Sequence, residues 1–294
     1  MDNIRITSKG IKREARGLLA NNWSRALGGM AIYLMVLVLF VQVSQLVTAL
    51  LGDFGPATAA DKATLSSFQD YLTYFTTGGM GINLLIMLVM AIFFFVLSAP
   101  LSLGITHWYR NLSLLGNLQV GQIFRYYRSN DLFFSAVIFQ GISTVLPILI
   151  AIVSFLPSVV CFAVAYVQGS SPDGGFPLML VLGGVLAFAG IFIYLAISLR
   201  FFFAKYLFCG DYGYGAIDCL RYSNKYMKKH VGSVMGVMLS FTGWFLSCIF
   251  ILPIAYVVPL YNASMAACAQ DIIDEHMGET IEIHKKRRER YVSE

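Results

Sequence analysis

The chain has 294 residues, of which 57% are hydrophobic and only 13% are charged, whereas a soluble domain usually carries about 25% charged residues. The shortage of charge is concentrated in apolar runs long enough to cross a bilayer, which requires roughly 20 helical residues. This composition excludes a soluble globule with one large core. The net charge of +5 does not indicate nucleic-acid binding, because the basic residues flank the apolar runs, where they meet anionic lipid headgroups.

The N-terminal residues 1–26 predict a basic amphipathic helix that lies on the inner leaflet of the membrane. Apolar residues recur there at helical spacing opposite a basic face, and Trp23 follows at the level expected for the membrane interface. The apolar residues are Ile11, Ala15, Leu18 and Leu19.

Two membrane spans are predicted next, at about 27–51 and 82–103. The polar segment between them, 52–81, contains Lys62 as its only basic residue. We predict that it lies outside, because translocated loops are poor in Lys and Arg. The second span is followed by an aromatic and basic inner boundary at residues 107–110.

A second amphipathic segment is predicted at 117–130, with one apolar face formed by Val120, Ile123, Phe124 and Tyr127. The 41 residues after Asp131 are uncharged, and they fit either one span or a hairpin bent at a proline. A hairpin would move Arg200 and Lys205 outside, so the positive-inside rule favours a single third span at 132–156. In that span Pro147 is expected to form a kink.

The fourth span is predicted at 178–203, after an outer turn at 168–177. Its small residues form a face suited to close helix contact. These residues are Gly183, Gly184, Ala187 and Gly190. A third amphipathic inner segment is predicted at 211–230.

The uncharged residues 231–270 are interpreted as a hairpin, with a fifth span at 233–252, a turn near Pro253 and a sixth span at 255–269. A single span here would move the basic C-terminal residues outside. The prediction is therefore one all-α membrane domain, 1–276, with six spans, both termini inside and a charged cytoplasmic tail at 277–294. Of the 21 Lys and Arg residues, 20 then lie inside.

Two inner segments resemble each other and indicate an internal repeat. Residues 116–130 align with residues 210–224, with five identities that include Ile123 with Ile217 and Ser129 with Ser223. The N-terminal helix occupies the same place before the first span. The predicted unit is one amphipathic helix and two spans, repeated three times in parallel orientation.

Four sequence motifs resemble the bacterial integral membrane family called domain of unknown function 975. They are IKREARGLLANNW near the N-terminus, SNKYMKKH, LSFTGW and PLYNASMAACAQDI. Within LSFTGW the family-like residues are Ser240, Phe241, Gly243 and Trp244. Cys268 and Ala269 depart from the pattern, since an aromatic pair is expected there. The resemblance implies a multi-pass protein of the bacterial, mainly Gram-positive, cytoplasmic membrane, and it implies no reaction.

The most polar side chains inside the predicted spans are the candidate site residues. They are Gln42, Ser44, Gln45 and Gln140, with Arg200 at the inner end of the fourth span. They predict either a polar cavity for a lipid headgroup or solute, or simple hydrogen bonds between helices. Arg200 fits either a phosphate contact or a side chain that extends to the inner interface.

The sequence lacks the residues that several function classes need. No Asp or Glu lies in the middle of a predicted span, which disfavours proton- or sodium-coupled transport. No catalytic motif is present, so we expect no enzyme, no cofactor and no metal. An acidic segment near the C-terminus makes a weak metal site conceivable, but a solvated helix end explains it better. That segment contains Asp271, Asp274, Glu275, His276 and Glu279.

The leading hypothesis is a non-enzymatic membrane protein that binds, senses or moves a lipid or amphipathic solute, with anionic headgroups at the inner leaflet as partners. The alternative is a scaffold or accessory subunit that binds another membrane protein through the small-residue faces around Gly183 and Gly243.

Overall fold

The computed structural model describes residues 8–51, 79–115, 119–168, 176–210, 212–250 and 253–293. These residues form helices and short connections and contain no strand, so the predicted all-α fold class is confirmed. The α-helices are α1 Ser8–Ala20, α2 Trp23–Leu51, α3 Gly79–Leu115, α4 Asn130–Gln168, α5 Phe176–Phe201, α6 Ala204–Phe208, α7 Ala216–Met227, α8 Val231–Leu239, α9 Thr242–Ser247 and α10 Ile254–Ser293, and the 3₁₀ helices are Val120–Tyr127 and Cys248–Phe250. The predicted outer segments fall largely outside the described residues.

Four of the described helices are long and apolar enough to cross a membrane. Their apolar stretches are Trp23–Val47, Leu88–Leu114, Asn130–Tyr166 and Leu178–Phe208. Large apolar side chains point outward along them, and Val153, for example, is 73% exposed. Such exposure is costly in water and favourable in lipid. These helices coincide with the first four predicted spans, and they identify the chain as a membrane protein.

The pairing of α4 with α5 depends on the predicted small-residue face. A Cβ on Gly183 would lie 2.9 Å from the Phe162 ring, and one on Gly190 would lie 2.8 Å from the Ser154 carbonyl oxygen. The buried Ser158 hydroxyl donates a 3.0 Å hydrogen bond to the Gly183 carbonyl. Most of the small-residue face of α5 is therefore covered by α4. The helix α4 runs without reversing through Pro147 and Pro157, as a single third span requires.

The region predicted as the fifth and sixth spans differs from two simple spans. Residues 231–250 form α8, α9 and a 3₁₀ turn rather than one helix. The Ser240 hydroxyl bonds the Val237 carbonyl at 2.5 Å, and such bonding to the preceding turn tends to bend helices. The predicted sixth span is the first part of the 40-residue α10, which also passes the predicted domain boundary at 276. The count of six spans stays a prediction.

The core lies around α10, whose residues 263–269 are all buried. The helix α1 packs directly against α10, and its apolar residues Ile11, Ala15 and Leu19 are at most 3% exposed. Three of the four predicted apolar residues of α1 are therefore confirmed as buried, and Leu18 is half-buried. The burial partner of α1, however, is protein rather than the lipid leaflet.

The second amphipathic segment has a different buried face from the predicted one. Ile123 and Tyr126 are buried, whereas Phe124 and Tyr127 are 42% and 36% exposed. The reason is that Val120–Tyr127 is a 3₁₀ helix, which has three residues per turn, so residues 120, 123 and 126 align. The predicted face, which assumes the 3.6-residue period of an α-helix, is therefore wrong for Phe124 and Tyr127.

The predicted repeat is not visible in the burial of its aligned residues. Ile123 is 1% exposed, whereas its aligned partner Ile217 is 65% exposed. Ser129 is exposed, whereas Ser223 is fully buried. The two segments therefore bury different faces, and the repeat stays a prediction.

The contact between α1 and α10 predicts a pH-dependent stability. Burial raises the pKa of Asp271 from 3.8 to about 6, and the carboxylates of Glu14 and Asp274 add to the rise. Between about pH 4 and pH 6 the folded chain holds a proton that the unfolded chain has released. Stability therefore falls as the pH rises through this window.

We expect Asp271→Asn to raise the melting temperature by a few degrees at pH 7, where it removes a poorly hydrated charge, and to change it little at pH 4. Thermal unfolding of the detergent-solubilised chain at both pH values measures this difference. Asp274→Asn is the comparison variant and should give a smaller rise at pH 7, because Asp274 is exposed, accepts a 2.8 Å hydrogen bond from Gln270 and acts through its repulsion of the Asp271 carboxylate. An equal gain for Asp271→Asn at both pH values would contradict the prediction.

Candidate functional site

A cavity of about 280 Å³ lies among α3, α4, α5, α6 and α7. Its wall combines aromatic rings with six polar side chains, which is the usual make-up of a ligand pocket. The polar residues are Ser102, Thr106, Gln140, Ser143, Ser198 and Lys205, and the apolar residues are Leu103, Phe139, Pro147, Phe201, Phe202 and Leu220.

Helical spacing brings the polar residues to one place. Ser102 and Thr106 are one turn apart on α3, and Gln140 and Ser143 are neighbours on α4. Pro147, one turn after Ser143, has no N–H to donate, so the Ser143 carbonyl lacks its usual helical donor. The α4 wall therefore presents more hydrogen-bonding capacity than a regular helix would.

Two hydroxyl groups of the cavity have no hydrogen-bond partner within the part of the chain that the structure describes. The Ser143 and Ser198 Oγ atoms are buried and unsatisfied. A buried polar group without a partner costs roughly 1–3 kcal/mol. Both residues line the cavity, so a ligand with polar atoms would satisfy them.

Lys205 brings a basic side chain to the same cavity. Its Nζ lies 5.2 Å from the Phe202 ring centroid and 5.0 Å from that of Tyr206. Among the described residues no carboxylate forms a salt bridge with it. When it is protonated, an amine held among aromatic rings attracts an anion strongly, because water screens its charge poorly.

The structure places only one of the five predicted cavity residues in this site. Gln140 lines the cavity, whereas Gln42 and Gln45 lie exposed on α2. The Ser44 hydroxyl donates to the Val41 carbonyl at 2.8 Å within α2. Arg200 is exposed at the end of α5, and its carbonyl accepts a 2.6 Å hydrogen bond from Ser223.

From the sequence, Lys205 is predicted only as a basic residue near the inner end of the fourth span. The chain turns at residues 202–203 between α5 and α6, which gives Lys205 a different surrounding from Arg200. The sequence carries no local signal for this turn, so the spacing of Ser198, Phe202 and Lys205 along one helix does not predict the site.

The family-like motif lies at the junction of α8 and α9 and holds α1 in place. Lys12 donates a 2.7 Å hydrogen bond to the Ser240 carbonyl, and its Nζ lies 4.3 Å from the centroid of the fully buried Phe241 ring. Trp244 is partly exposed, with its ring 5.7 Å from that of Tyr256. A Cβ on Gly243 would contact nothing within 4 Å, so close packing does not explain that glycine.

A second polar pocket of about 270 Å³ lies between α3 and the 3₁₀ helix Val120–Tyr127. The Arg125 Nη1 atom lies 2.6 Å from His107 Nε2, an arrangement in which the imidazole accepts from the guanidinium. Arg128 adds a further positive charge to the pocket. The pocket and the Lys205 cavity both lie beside the end of α3 that the sequence places at the inner boundary.

Comparison of the chain with protein-family models, with curated proteins and with solved structures returned no match.

Proposed function

We propose that the chain is a non-enzymatic integral protein of the bacterial cytoplasmic membrane that binds the anionic headgroup of a lipid, or of a similar amphipathic solute, in the cavity at Lys205. The observation that carries this proposal is a combination of groups in the lining of one cavity. They are a basic side chain with no carboxylate partner and two hydroxyls with no hydrogen-bond partner, in each case among the described residues. A phosphate or carboxylate headgroup offers the charge and the acceptors that these groups need.

The proposed topology supports the same function. With six spans and both termini inside, Lys205 lies at the inner end of the fourth span, at the depth of the inner-leaflet headgroups. Basic pockets between membrane helices on the cytoplasmic side are a known way to bind acidic lipids. The proposal includes membership of the domain of unknown function 975 family, which the four sequence motifs support.

A scaffold role is the second candidate. The small-residue face around Gly183, which was its first predicted docking surface, is occupied by Phe162. This occupation weakens the case for a scaffold role. The region after Gly243 supports it better, because Leu246 and Ile249 are 65% and 78% exposed. A membrane-protein partner that covers this face should co-purify with the wild-type chain after mild extraction, and should be lost when Gly243 is replaced by Trp.

Native mass spectrometry of the full chain, released from mixed anionic and zwitterionic lipid, tests the leading proposal. We expect one tightly retained anionic lipid per chain. Ser143→Phe should reduce its retention at least about tenfold by filling the cavity, which corresponds to about 1.4 kcal/mol. Ser135→Phe is the matched control, because Ser135 is exposed on the same helix. The proposal would be refuted if the chain retained anionic and zwitterionic lipid equally, or if the Ser143→Phe and Ser135→Phe chains retained equal amounts of anionic lipid.

A further inference from the structure

A group of three metal-ligating side chains lies apart from the Lys205 cavity. His230 stands at the turn between α7 and α8, and Glu275 and His276 are consecutive residues of α10. The fold brings potential ligand atoms of all three within 4.8 Å of one another. His230 is 46 residues from His276 in sequence, so only the packing of α10 against this turn unites them.

The distances in this group fit the coordination shell of a small divalent ion. The two Nε2 atoms of His230 and His276 are 3.4 Å apart. Zinc binds imidazole nitrogen at about 2.0–2.1 Å in tetrahedral sites, which separates two ligand atoms by about 3.3–3.4 Å. Glu275 Oε2 lies 3.7 Å from His230 Nε2, so a small side-chain adjustment brings a carboxylate oxygen to the third position.

The surroundings hold the two imidazole rings in place. The side chains of His230 and His276 are only 12% and 18% exposed. The Tyr226 ring packs edge-on against His276 with centroids 5.1 Å apart, which restricts the orientation of that imidazole. Without an ion the two rings would share a single hydrogen bond.

We propose that His230, Glu275 and His276 bind Zn²⁺, and that the ion ties the α7–α8 turn to α10. Two histidines and one glutamate form a recurrent protein ligand set for zinc. Three protein ligands leave one tetrahedral position for water or for an external ligand. This site is independent of lipid binding at Lys205, since it shares no residue with that cavity.

Metal binding is tested on the full chain without an affinity tag, stripped with a chelator and titrated with Zn²⁺ in competition with a chromophoric chelator. We expect one Zn²⁺ per chain with a dissociation constant at or below about 1 μM. His230→Gln and His276→Gln should each weaken binding by at least about tenfold, since second-shell changes alone cost that much in metal sites. Added Zn²⁺ should raise the melting temperature of the wild-type chain but not that of the His230→Gln or His276→Gln chain.

Two further variants keep the test decisive. His284→Gln changes a histidine two helical turns further along α10 and should bind Zn²⁺ as the wild type does. His230→Cys supplies a thiolate, which zinc accepts, so it should retain binding and the Zn²⁺-induced rise in melting temperature. The proposal is overturned if the wild type shows no saturable binding, or if the His230→Gln and His276→Gln chains bind as tightly as the wild type.

Discussion

Gly104→Ala is expected to destabilise the chain more than any other single methyl addition among its described glycines. A Cβ on Gly104 would lie 1.9 Å from the Ile123 carbonyl oxygen and 2.9 Å from its carbonyl carbon. Both atoms belong to the backbone of the 3₁₀ helix, so no side-chain rotation relieves the overlap. We expect a loss of about 3 kcal/mol and a fall of roughly 5–10 °C in melting temperature.

The same change should also disturb the neighbouring basic pocket. Ile123 occupies a slot between α3 and α2, where a Cβ on Gly29 would lie 2.8 Å from its Cδ1 atom. Moving the 3₁₀ helix away from α3 should lengthen the contact between Arg125 and His107. Thermal unfolding of the purified chain in detergent measures the loss of stability.

Gly141→Ala is the matched control for Gly104→Ala, because a Cβ there would meet nothing within 4 Å. Alanine favours a helix over glycine by up to about 1 kcal/mol, so this variant should unfold at an equal or higher temperature. Equal melting temperatures for the Gly104→Ala and Gly141→Ala chains would contradict the described approach of the 3₁₀ helix to α3.

Lys205→Met is expected to abolish most of the retention of anionic lipid. A hydrogen bond to a charged group contributes roughly 1.5–3 kcal/mol, so its loss should weaken binding by about tenfold to a hundredfold. The lipid-free variant should be at least as stable as the lipid-free wild type, because methionine removes an ammonium that has no carboxylate partner among the described residues. Native mass spectrometry and thermal unfolding together report both effects.

Two companion variants test whether lipid retention depends on a charge at residue 205 or on the number of basic residues in the chain. Lys205→Arg keeps the charge and should retain lipid to within a few-fold. Lys228→Met removes an exposed charge just after α7 and should leave retention unchanged. A Lys205→Met chain that retains anionic lipid as the wild type does, or loses zwitterionic lipid equally, would contradict a headgroup contact at this residue.

The long helices could be predicted because their signal is local. Runs of apolar residues without charge, such as the one that contains Val153, specify a membrane-length helix regardless of the neighbouring helices. The close approach at Gly183 and Gly190 was also predictable, since small residues at helical spacing indicate contact. What a helix face packs against could not be predicted in the same way, as α1 shows. Its apolar face is evident in the sequence, but a face of that kind suits lipid and protein equally.

The functional residues were harder to predict because they depend on how elements meet. A 3₁₀ helix in place of an α-helix exchanged Tyr126 for Phe124 on the buried face. The turn at residues 202–203 separated Lys205 from Arg200, and the packing of α10 brought His276 to His230. In each case the hydropathy pattern is the same for the predicted and the observed arrangement. Only the tertiary arrangement decides which side chain reaches the site.

A density map of the full chain in nanodiscs that contain anionic lipid tests headgroup binding at Lys205 most directly. The account predicts elongated density in the cavity among α3, α4 and α5, with its headgroup within about 4 Å of the Lys205 Nζ atom and in reach of Ser143 and Ser198. A cavity closed by repacked side chains, with both hydroxyls bonded to protein and no lipid density, would contradict it.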